Sequence, residues 1–531
     1  MGHSKKGIVV NTIIAMVMAA IFILVAASVI GDFFSQFPKT EPIGDATKVV
    51  CFGGSNNKLY CVNKESGAVI VPWTNPTSGP QSNQKITQTP ALTDKGIYFA
   101  AGSYFCGVNI AGAQKFECEK FGRSIATGVV ADESKGIACF GDGVDYAERT
   151  IHCQDISTGE QKFAVSGDDA GGECSWWSKG LKSAGDDGTA HGRNGKYFGK
   201  YLEVRTSATY EDAEKAADDY FGYQCGGGML HYSSDWFPCI LPKSDDMTHS
   251  NVHTKATRGC YTASTPVFQS GTDSLYFGLG NYLCDVDAVK SLGTKPNINW
   301  CAKFDWSLPK GSAEGAGLVC IEGGKDHRVH CMDSTKHANP PDQVIQIKSS
   351  GEVMKYALAI AKDNNNNNAD LFYGIGTKVC GHHPQIVGND LKTGDNDLWC
   401  KDMERDIPTG FVADANYVCF GDGPGNKIHC LNRMNGVEAF SITSGAWTSR
   451  AAQSTPLIQN DVLYAALGDY VCAYKFPFTA AYANKNLDNV GAGAGKYDVD
   501  NDPDIVWKNA YRGCVDTGAN ENIPTDIVGV A

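Results

Sequence analysis

The chain has 531 residues, a formal net charge of −13, 60 glycines and 10% aromatic residues. Its acidic balance, without a basic run beyond the N-terminus, argues against a nucleic-acid partner and is typical of a solvated acidic surface. Abundant glycine without long helical periodicity favours short strands joined by turns, so we expect an all-β fold.

The N-terminus carries a candidate membrane anchor. Residues 7–31 contain no charged residue, and a helix of this length spans roughly 37 Å, enough to cross a bilayer. Lys5 and Lys6 precede it and Asp32 follows, so the positive-inside rule predicts a cytoplasmic tip at 1–6, an uncleaved single-pass signal anchor at 7–31 and a linker at 32–45. Lys5-Lys6-Gly7 also resembles the processing site of pilin-type precursors, which leaves a processed surface-filament subunit as an alternative.

Two sequence patterns alternate along the rest of the chain. The first is a short apolar strand ending in Cys, a Gly-rich turn, and a second strand ending in Cys plus a polar residue; it begins at Val49, Gly136, Gly317 and Tyr417. The second, exemplified by LYFGLGNYLCDV, begins at Ile97, Leu275, Leu371 and Leu463. One unit is about 45 residues long, which suits a four-stranded propeller blade.

The alternation predicts eight units, at 46–80, 86–124, 125–167, 260–306, 315–347, 351–406, 407–447 and 451–513. A single blade cannot bury both of its faces, so the units must stack into a ring. We therefore predict a β-propeller of about eight blades over 46–513, interrupted by an insertion at 168–259 and followed by a C-terminal tail at 514–531.

The segments LYCVNKESGAVIVPW and IHCQDISTGEQKF resemble the PQQ-type propeller repeat. The resemblance implies the fold of a family that includes quinone-dependent dehydrogenases, outer-membrane assembly scaffolds and sensor ectodomains. A PQQ dehydrogenase would need an Asp base, a calcium ion beside the quinone and usually a vicinal Cys-Cys ring. The chain has no Cys-Cys dipeptide, and its nine tryptophans show no regular blade-locking motif in the sequence, so PQQ is not expected.

The 20 cysteines are an even number, as expected in an oxidising compartment. Facing strands bring cysteines close enough to bond, and we predict structural disulfides between Cys51 and Cys61, Cys106 and Cys118, Cys139 and Cys153, Cys284 and Cys301, Cys320 and Cys331, Cys380 and Cys400, and Cys419 and Cys430. Outside this scheme stand Cys174, Cys225, Cys239, Cys260, Cys472 and Cys514. Their pairing stays open, with Cys514 as the nearest substitute partner for Cys472.

Two further segments are candidate sites. Asp498, Asp500, Asp502 and Asp504 place four carboxylates within seven residues, the ligand type that calcium prefers, so calcium is a candidate cofactor. The insertion at 168–259 contains Trp176, Trp177, Trp236 and Phe237. It is predicted either to bind a partner at one rim of the propeller or to cap its own blade.

No recognisable catalytic constellation accompanies the repeats, and His152, His330 and His429 each precede the second hairpin Cys, so we interpret them as strand-surface or inter-blade contacts. We predict a membrane-anchored extracytoplasmic propeller that binds a protein or cell-surface partner, or serves as a scaffold, without catalysis. The alternatives are a PQQ- and calcium-dependent oxidoreductase and the processed filament subunit.

Overall fold

The structure, a computed structural model, describes residues 46–54, 56–74, 84–142, 150–166, 169, 264–280, 282–292, 295–304, 312–315, 317–323, 328–334, 345–348, 358–362, 369–382, 385–387, 390–392, 397–403, 405, 407–423, 425–444, 452–487, 501–508, 510, 512–517 and 523–529. The predicted anchor and linker, and all but one residue of the insertion, lie outside these ranges. No helix in the described ranges is long and apolar enough to span a membrane.

Eight antiparallel sheets, each with four principal strands, stand around a ring. This arrangement confirms the predicted all-β propeller of eight blades. We call the strands of each blade first to fourth, from the ring centre outward. The eight first strands contact one another in succession and return to the starting blade, so the ring is closed.

The odd-numbered blades contain the sequence pattern with the Gly-rich hairpin. Their strands, first to fourth, are β35 (Val528–Gly529), β1 (Val49–Gly54), β2 (Lys58–Asn63) and β3 (Val69–Thr74) in blade 1; β8 (Val130–Asp132), β9 (Ile137–Gly141), β10 (Thr150–Asp155) and β11 (Gln161–Ser166) in blade 3; β16 (Ser312–Gly315), β17 (Leu318–Gly323), β18 (Arg328–Asp333) and β19 (Ile345–Lys348) in blade 5; and β26 (Val412–Ala413), β27 (Tyr417–Gly421), β28 (Lys427–Asn432) and β29 (Glu438–Thr443) in blade 7.

The even-numbered blades contain the second pattern. Their strands are β4 (Ala91–Thr93), β5 (Gly96–Ala101), β6 (Tyr104–Val108) and β7 (Gln114–Lys120) in blade 2; β12 (Val267–Phe268), β13 (Ser274–Leu279), β14 (Tyr282–Leu292) and β15 (Lys295–Lys303) in blade 4; β20 (Ala359–Lys362), β21 (Ala369–Ile375), β22 (Lys378–His382) and β25 (Asp397–Asp402) in blade 6; and β30 (Leu457–Gln459), β31 (Val462–Leu467), β32 (Tyr470–Lys475) and β34 (Cys514–Asp516) in blade 8.

Additional elements lie between the third and fourth strands of two even blades. Blade 6 has a separate hairpin of β23 (Gln385–Val387) and β24 (Asp390–Lys392). In blade 8 the chain forms the 3₁₀ helix Ala480–Tyr482 and then β33 (Asn484–Asn486), which pairs in parallel with β29 as a fifth strand of blade 7. A second 3₁₀ helix, Ala46–Lys48, precedes β1.

The C-terminal residues close the ring. β35 pairs with β1, with Val528 opposite Cys51, so the last strand in the sequence completes the first blade. β34 likewise supplies the fourth strand of blade 8. The propeller therefore continues past the boundary predicted at residue 513, and residues 514–516 and 528–529 belong to blades rather than to a tail.

A disulfide bond lies in each blade, and its position alternates. The structure joins the seven predicted pairs and also Cys472 with Cys514. Odd blades join the second strand to the third, as in Cys51–Cys61, whereas even blades join the third to the fourth, as in Cys284–Cys301. Cys174, Cys225, Cys239 and Cys260 lie outside the described residues.

The alternation follows from the packing between blades. The interfaces between blades 1 and 2, 3 and 4, 5 and 6, and 7 and 8 each contain cysteines from the disulfides of both blades in one apolar cluster. We call these interfaces the disulfide joints. Both disulfides of a blade pair point toward the interface that the two blades share, so the ring consists of four double blades.

The other four interfaces, which we call the aromatic joints, contain no cysteine in their clusters of described residues. Each joint hydrogen-bonds one backbone carbonyl in the turn after the third strand of the odd blade. The donors are the Tyr98 hydroxyl to Ile156 at 3.2 Å, the Tyr276 hydroxyl to Ser334 at 2.9 Å, Trp399 Nε1 to Arg433 at 2.6 Å and Trp507 Nε1 to Lys64 at 2.9 Å.

Two of the nine tryptophans take part in these contacts. Trp399 and Trp507 do lock even blades to the following odd blades, and Phe116 lies at the corresponding place in blade 2, against Gly159. These two tryptophans do not form a regular motif in the sequence, because the connections before them differ greatly in length: the disulfides of blades 6 and 8 span 20 and 42 residues.

Candidate functional site

The predicted site residues fall in three groups. The cysteines of the predicted pairs form the disulfides described above. Trp176, Trp177, Trp236 and Phe237 lie outside the described residues, as do Asp498 and Asp500. Asp502 and Asp504 are described, and both side chains are buried.

Asp502 and Asp504 both accept hydrogen bonds from one buried lysine. Lys485 Nζ lies 2.5 Å from Asp502 Oδ2 and 3.0 Å from Asp504 Oδ2. The ammonium group therefore supplies a positive charge between the two carboxylates that were predicted to bind calcium. Sequence reasoning did not single out Lys485, because β33 brings it to this place from the loop between two strands of blade 8.

The described strands on either side of the long insertion end or begin at the face of the ring where the chain enters the first strands, which we call the entry face. In a four-stranded antiparallel blade, the chain enters the first strand and leaves the fourth at the same end. Blade 3 ends at Ser166 and blade 4 begins at Val267, so the chain leaves and returns on this entry face. The entry face is therefore the candidate binding face.

Threonine residues just before the first strands form a collar on the entry face. In three odd blades the sequence reads Ile-x-Thr-Gly/Asp-x-Val, with threonines at 127, 409 and 525. Each hydroxyl accepts a hydrogen bond from a glycine N–H at the end of the second strand, from Gly141 at 2.7 Å, Gly421 at 2.8 Å and Gly53 at 2.8 Å respectively. All three threonines are buried, so the hydroxyls fix each first strand to its blade.

The even blades contribute the threonines of the Thr-Pro elements, which connect neighbouring blades. Thr265 Oγ1 accepts from Gly128 N–H at 3.1 Å, and Thr455 Oγ1 accepts from Gly410 N–H at 2.9 Å. A side chain at Gly128 would crowd Thr265, because a Cβ there would lie 3.2 Å from the threonine methyl group. The recurrent Ile-x-Thr-Gly/Asp-x-Val sequence was the signal that could have predicted this collar.

Asp526 replaces the collar glycine in blade 1. Its Oδ2 accepts from the Thr89 hydroxyl at 3.0 Å and its Oδ1 accepts from Thr455 N–H at 3.0 Å. The carboxylate therefore connects blade 1 to blades 2 and 8 at the point where the ring closes. Its two oxygens serve the closure of the ring, and this geometry gives Asp526 a structural role.

The three histidines contact aromatic rings, with His330 and His429 buried and His152 half-buried. His152 packs on Phe140 and on Phe121, which follows the fourth strand of blade 2, and His330 packs on Phe304, which follows the fourth strand of blade 4. His429 lies flat against Phe420. His152 and His330 are therefore inter-blade contacts, as interpreted from the sequence.

In blades 3 and 7, two polar side chains contact the two ring nitrogens of the histidine. His429 Nδ1 lies 2.7 Å from Glu438 Oε2, and its Nε2 lies 3.4 Å from Asp422 Oδ2. In blade 3, His152 has Gln161 and Asp142 in these two places, at 3.1 and 3.3 Å. Burial alone would raise the pKa of Glu438, but hydrogen bonds from His429 and Lys427 outweigh burial and hold that pKa at about 2.

One carboxylate on the entry face, that of Asp526, is not arranged as the base of a quinone cofactor would be. Such a cofactor needs a free carboxylate base and a cation site beside it, whereas the oxygens of Asp526 accept hydrogen bonds from blades 2 and 8. Within the described ranges, no group of three or more His, Cys, Asp or Glu side chains is arranged to hold a metal. We therefore derive no chemical step through a quinone.

No known family model matches the sequence, and no curated protein matches it. Solved structures are similar in fold. BamB from Moraxella catarrhalis is 10% identical over 79% of this chain and 88% of its own, with a TM-score of 0.44. A europium-containing methanol dehydrogenase is 9% identical over 81% of each chain, with a TM-score of 0.45. A quinohemoprotein alcohol dehydrogenase from Comamonas testosteroni is 10% identical over 80% of this chain and 71% of its own, with a TM-score of 0.44. No functional residue is carried over from them.

Proposed function

We propose that the protein is a binding or scaffold propeller without catalysis of its own, held on the outer side of a membrane by residues 7–31. The observation that supports this proposal best is the pairing of two disulfides in each of four joints. Disulfides of this density persist in oxidising compartments and restrict the unfolded chain. They make a rigid ring suited to presenting a surface.

The entry face is the surface that we propose for binding. It carries the collar, whose hydroxyls hold neighbouring blades together, and the connection between residues 166 and 264 is the longest between any two blades. A rigid ring that displays one long connection is a common arrangement for recognition by a loop on a scaffold. The partner proposed is a protein or another component of the cell surface.

Cross-linking on intact cells, followed by affinity purification, tests the binding proposal. The full chain is compared with a variant in which residues 168–259 are replaced by a short Gly/Ser linker. We expect both proteins to show the same melting temperature of the ring and only the full chain to retain its cross-linked partners. An identical set of partners in both samples would contradict binding through the insertion.

Two measurements test the alternatives. Thermal melting of the full chain with PQQ and calcium should show no shift, whereas a clear rise in melting temperature would favour the oxidoreductase. Mass spectrometry of the native N-terminus should find residues 1–7 intact. Their absence, with the apolar segment retained, would favour the processed filament subunit.

A further inference from the structure

Lys485 and its two aspartate partners have the composition and geometry of a site that condenses an amine with a carboxylic acid. The lysine side chain is fully buried, and so is that of Asp502. Asp504 is also buried, with only 5% of its side chain exposed. Aromatic rings surround the ammonium group: its Nζ lies 4.4 Å from the ring centre of Phe478, 4.9 Å from Tyr474 and 5.8 Å from Tyr482.

The two aspartates have different surroundings, which assigns them different roles. Asp504 accepts hydrogen bonds from the Thr479 N–H at 2.9 Å and the Thr479 hydroxyl at 2.8 Å, in addition to Lys485. Donors on both oxygens hold the Asp504 carboxylate in place beside Nζ. Asp502 is the nearer carboxyl to Nζ, and its Oδ1 accepts the backbone N–H of Asp504 at 2.9 Å.

We propose that Lys485 and Asp502 form an intramolecular isopeptide bond, with Asp504 as the proton carrier. An apolar cage penalises separated charges, so transfer of one proton from the Lys485 ammonium to Asp502 gives a neutral amine beside a neutral acid. A desolvated lysine amine is a competent nucleophile. Because the two groups are held in contact before reaction, the condensation carries little of the entropic cost of bringing reactants together.

The condensation balances without an oxidant or any other reactant. The Nζ lone pair attacks Cγ of Asp502 and forms the new C–N bond, while a second Nζ proton passes to the Asp504 carboxylate. Charge that develops on Asp502 Oδ1 is stabilised by the Asp504 backbone N–H. Asp504 then returns its proton to Oδ2, the Cγ–Oδ2 bond breaks, and one water molecule leaves. The third proton remains on the amide nitrogen.

The bond would fix the outer edge of the ring where blades 7 and 8 meet. Lys485 lies on β33, the fifth strand of blade 7, whereas Asp502 precedes the fourth strand of blade 8. Both residues lie inside the 42-residue loop closed by Cys472–Cys514, the longest such loop among the described disulfides. An amide at this place would hold the loop even after the disulfide is reduced.

Peptide mass spectrometry of the purified full chain tests the bond directly. Trypsin does not cleave after an acylated lysine, so we expect residues 476–496 and 497–508 in one branched peptide, lighter than the sum of its parts by one water molecule. Fragment ions should place the link between Lys485 and Asp502. Unmodified peptides ending at Lys485 and spanning 497–508, recovered from the folded protein, would overturn the proposal.

Variants separate the roles of the three side chains. Lys485→Arg and Asp502→Ala should both abolish the branched peptide. Asp504→Asn keeps the nucleophile and the acid but removes the proton carrier, so the linked fraction should fall at least tenfold in freshly folded protein. A linked fraction equal to that of the wild type in Asp504→Asn would contradict the role of Asp504. The wild-type measurement remains decisive if a variant does not fold.

Discussion

At the four aromatic joints, different side chains donate a hydrogen bond to the equivalent backbone carbonyl. The carbonyl that Tyr98 and Tyr276 bond with a hydroxyl in two aromatic joints is bonded by an indole N–H in the other two. Burial raises the pKa of Tyr98 to about 12, so its phenol stays protonated as a donor at physiological pH. A buried carbonyl requires a donor, but it does not require a particular residue type.

The Glu438 carboxylate should make the free energy of unfolding depend on pH in the acidic range. Its pKa is about 2 in the folded protein against an ordinary value of 4.5. Because the pKa is depressed, the stabilisation is present above pH 4.5 and is lost as the pH falls toward 2, with an upper limit of about 3 kcal/mol. We expect Glu438→Gln to lower the melting temperature at pH 6 but to differ little from the wild type near pH 2.

Blade 3 provides the control for Glu438→Gln. Gln161 already holds the equivalent place beside His152 with a neutral amide, so Glu438→Gln should preserve the local fold. Gln161→Glu should have the opposite effect and add stability at pH 6. A constant difference between Glu438→Gln and the wild type from pH 6 to pH 2 would contradict the role of the Glu438 carboxylate.

Among the elements, the turns after the third strands of blades 1, 3 and 7 each require a glycine. Gly436 has φ of +68°, and a Cβ there would lie 2.5 Å from the ring of Trp399. Gly67 and Gly159 contact Trp507 and Phe116 in the same way, also with positive φ. The glycine therefore serves both the conformation of the turn and the close approach of the neighbouring blade.

Gly436→Ala should destabilise the protein by about 2–4 kcal/mol, because left-handed strain adds to overpacking against Trp399. Gly271→Ala is the matched control, since Gly271 has φ of +74° and open space around its Cβ position. That control should cost only about 1 kcal/mol. Urea unfolding of the oxidised proteins measures both, and equal losses would mean that contact with Trp399 is unimportant.

The elements also show which features a sequence can predict. Cys51 and Cys61 flank a short hairpin whose pattern recurs, so their pairing follows from local geometry. Trp507 and Lys485 lie in the long excursion of blade 8, where no spacing is repeated, and their partners come from blade 1 or from distant residues of the same excursion. The contacts of this excursion therefore leave no periodic trace in the sequence, unlike those of the collar threonines.

At the scale of the whole molecule, ring closure depends on very few residues. β35 has two residues, and the Thr525 hydroxyl just before it bonds Gly53, which is 472 residues away in the sequence. Sequence repetition predicted eight units, but it did not predict that the last strand completes the first blade, because β35 is too short to resemble a repeat. The first and last residues of the propeller therefore unfold or persist together.

Thr525→Val should open this closure, because it leaves the buried N–H of Gly53 without its acceptor. We expect a loss of about 1–3 kcal/mol, seen as a lower melting temperature and faster hydrogen exchange in β1. Thr525→Ser retains the hydroxyl and should keep most of the stability. If Thr525→Val and Thr525→Ser melted together, the hydrogen bond to Gly53 would not be what holds the ring closed.

The two kinds of joint also restrict how such a ring can change its size. Each blade presents a cystine-bearing face to one neighbour and a cystine-free aromatic face to the other. In the native ring like faces meet, whereas loss or duplication of one blade would bring a cystine-bearing face against an aromatic face. Propellers that evolve from this one should therefore gain or lose blades two at a time, so the double blade is the unit that is duplicated or deleted.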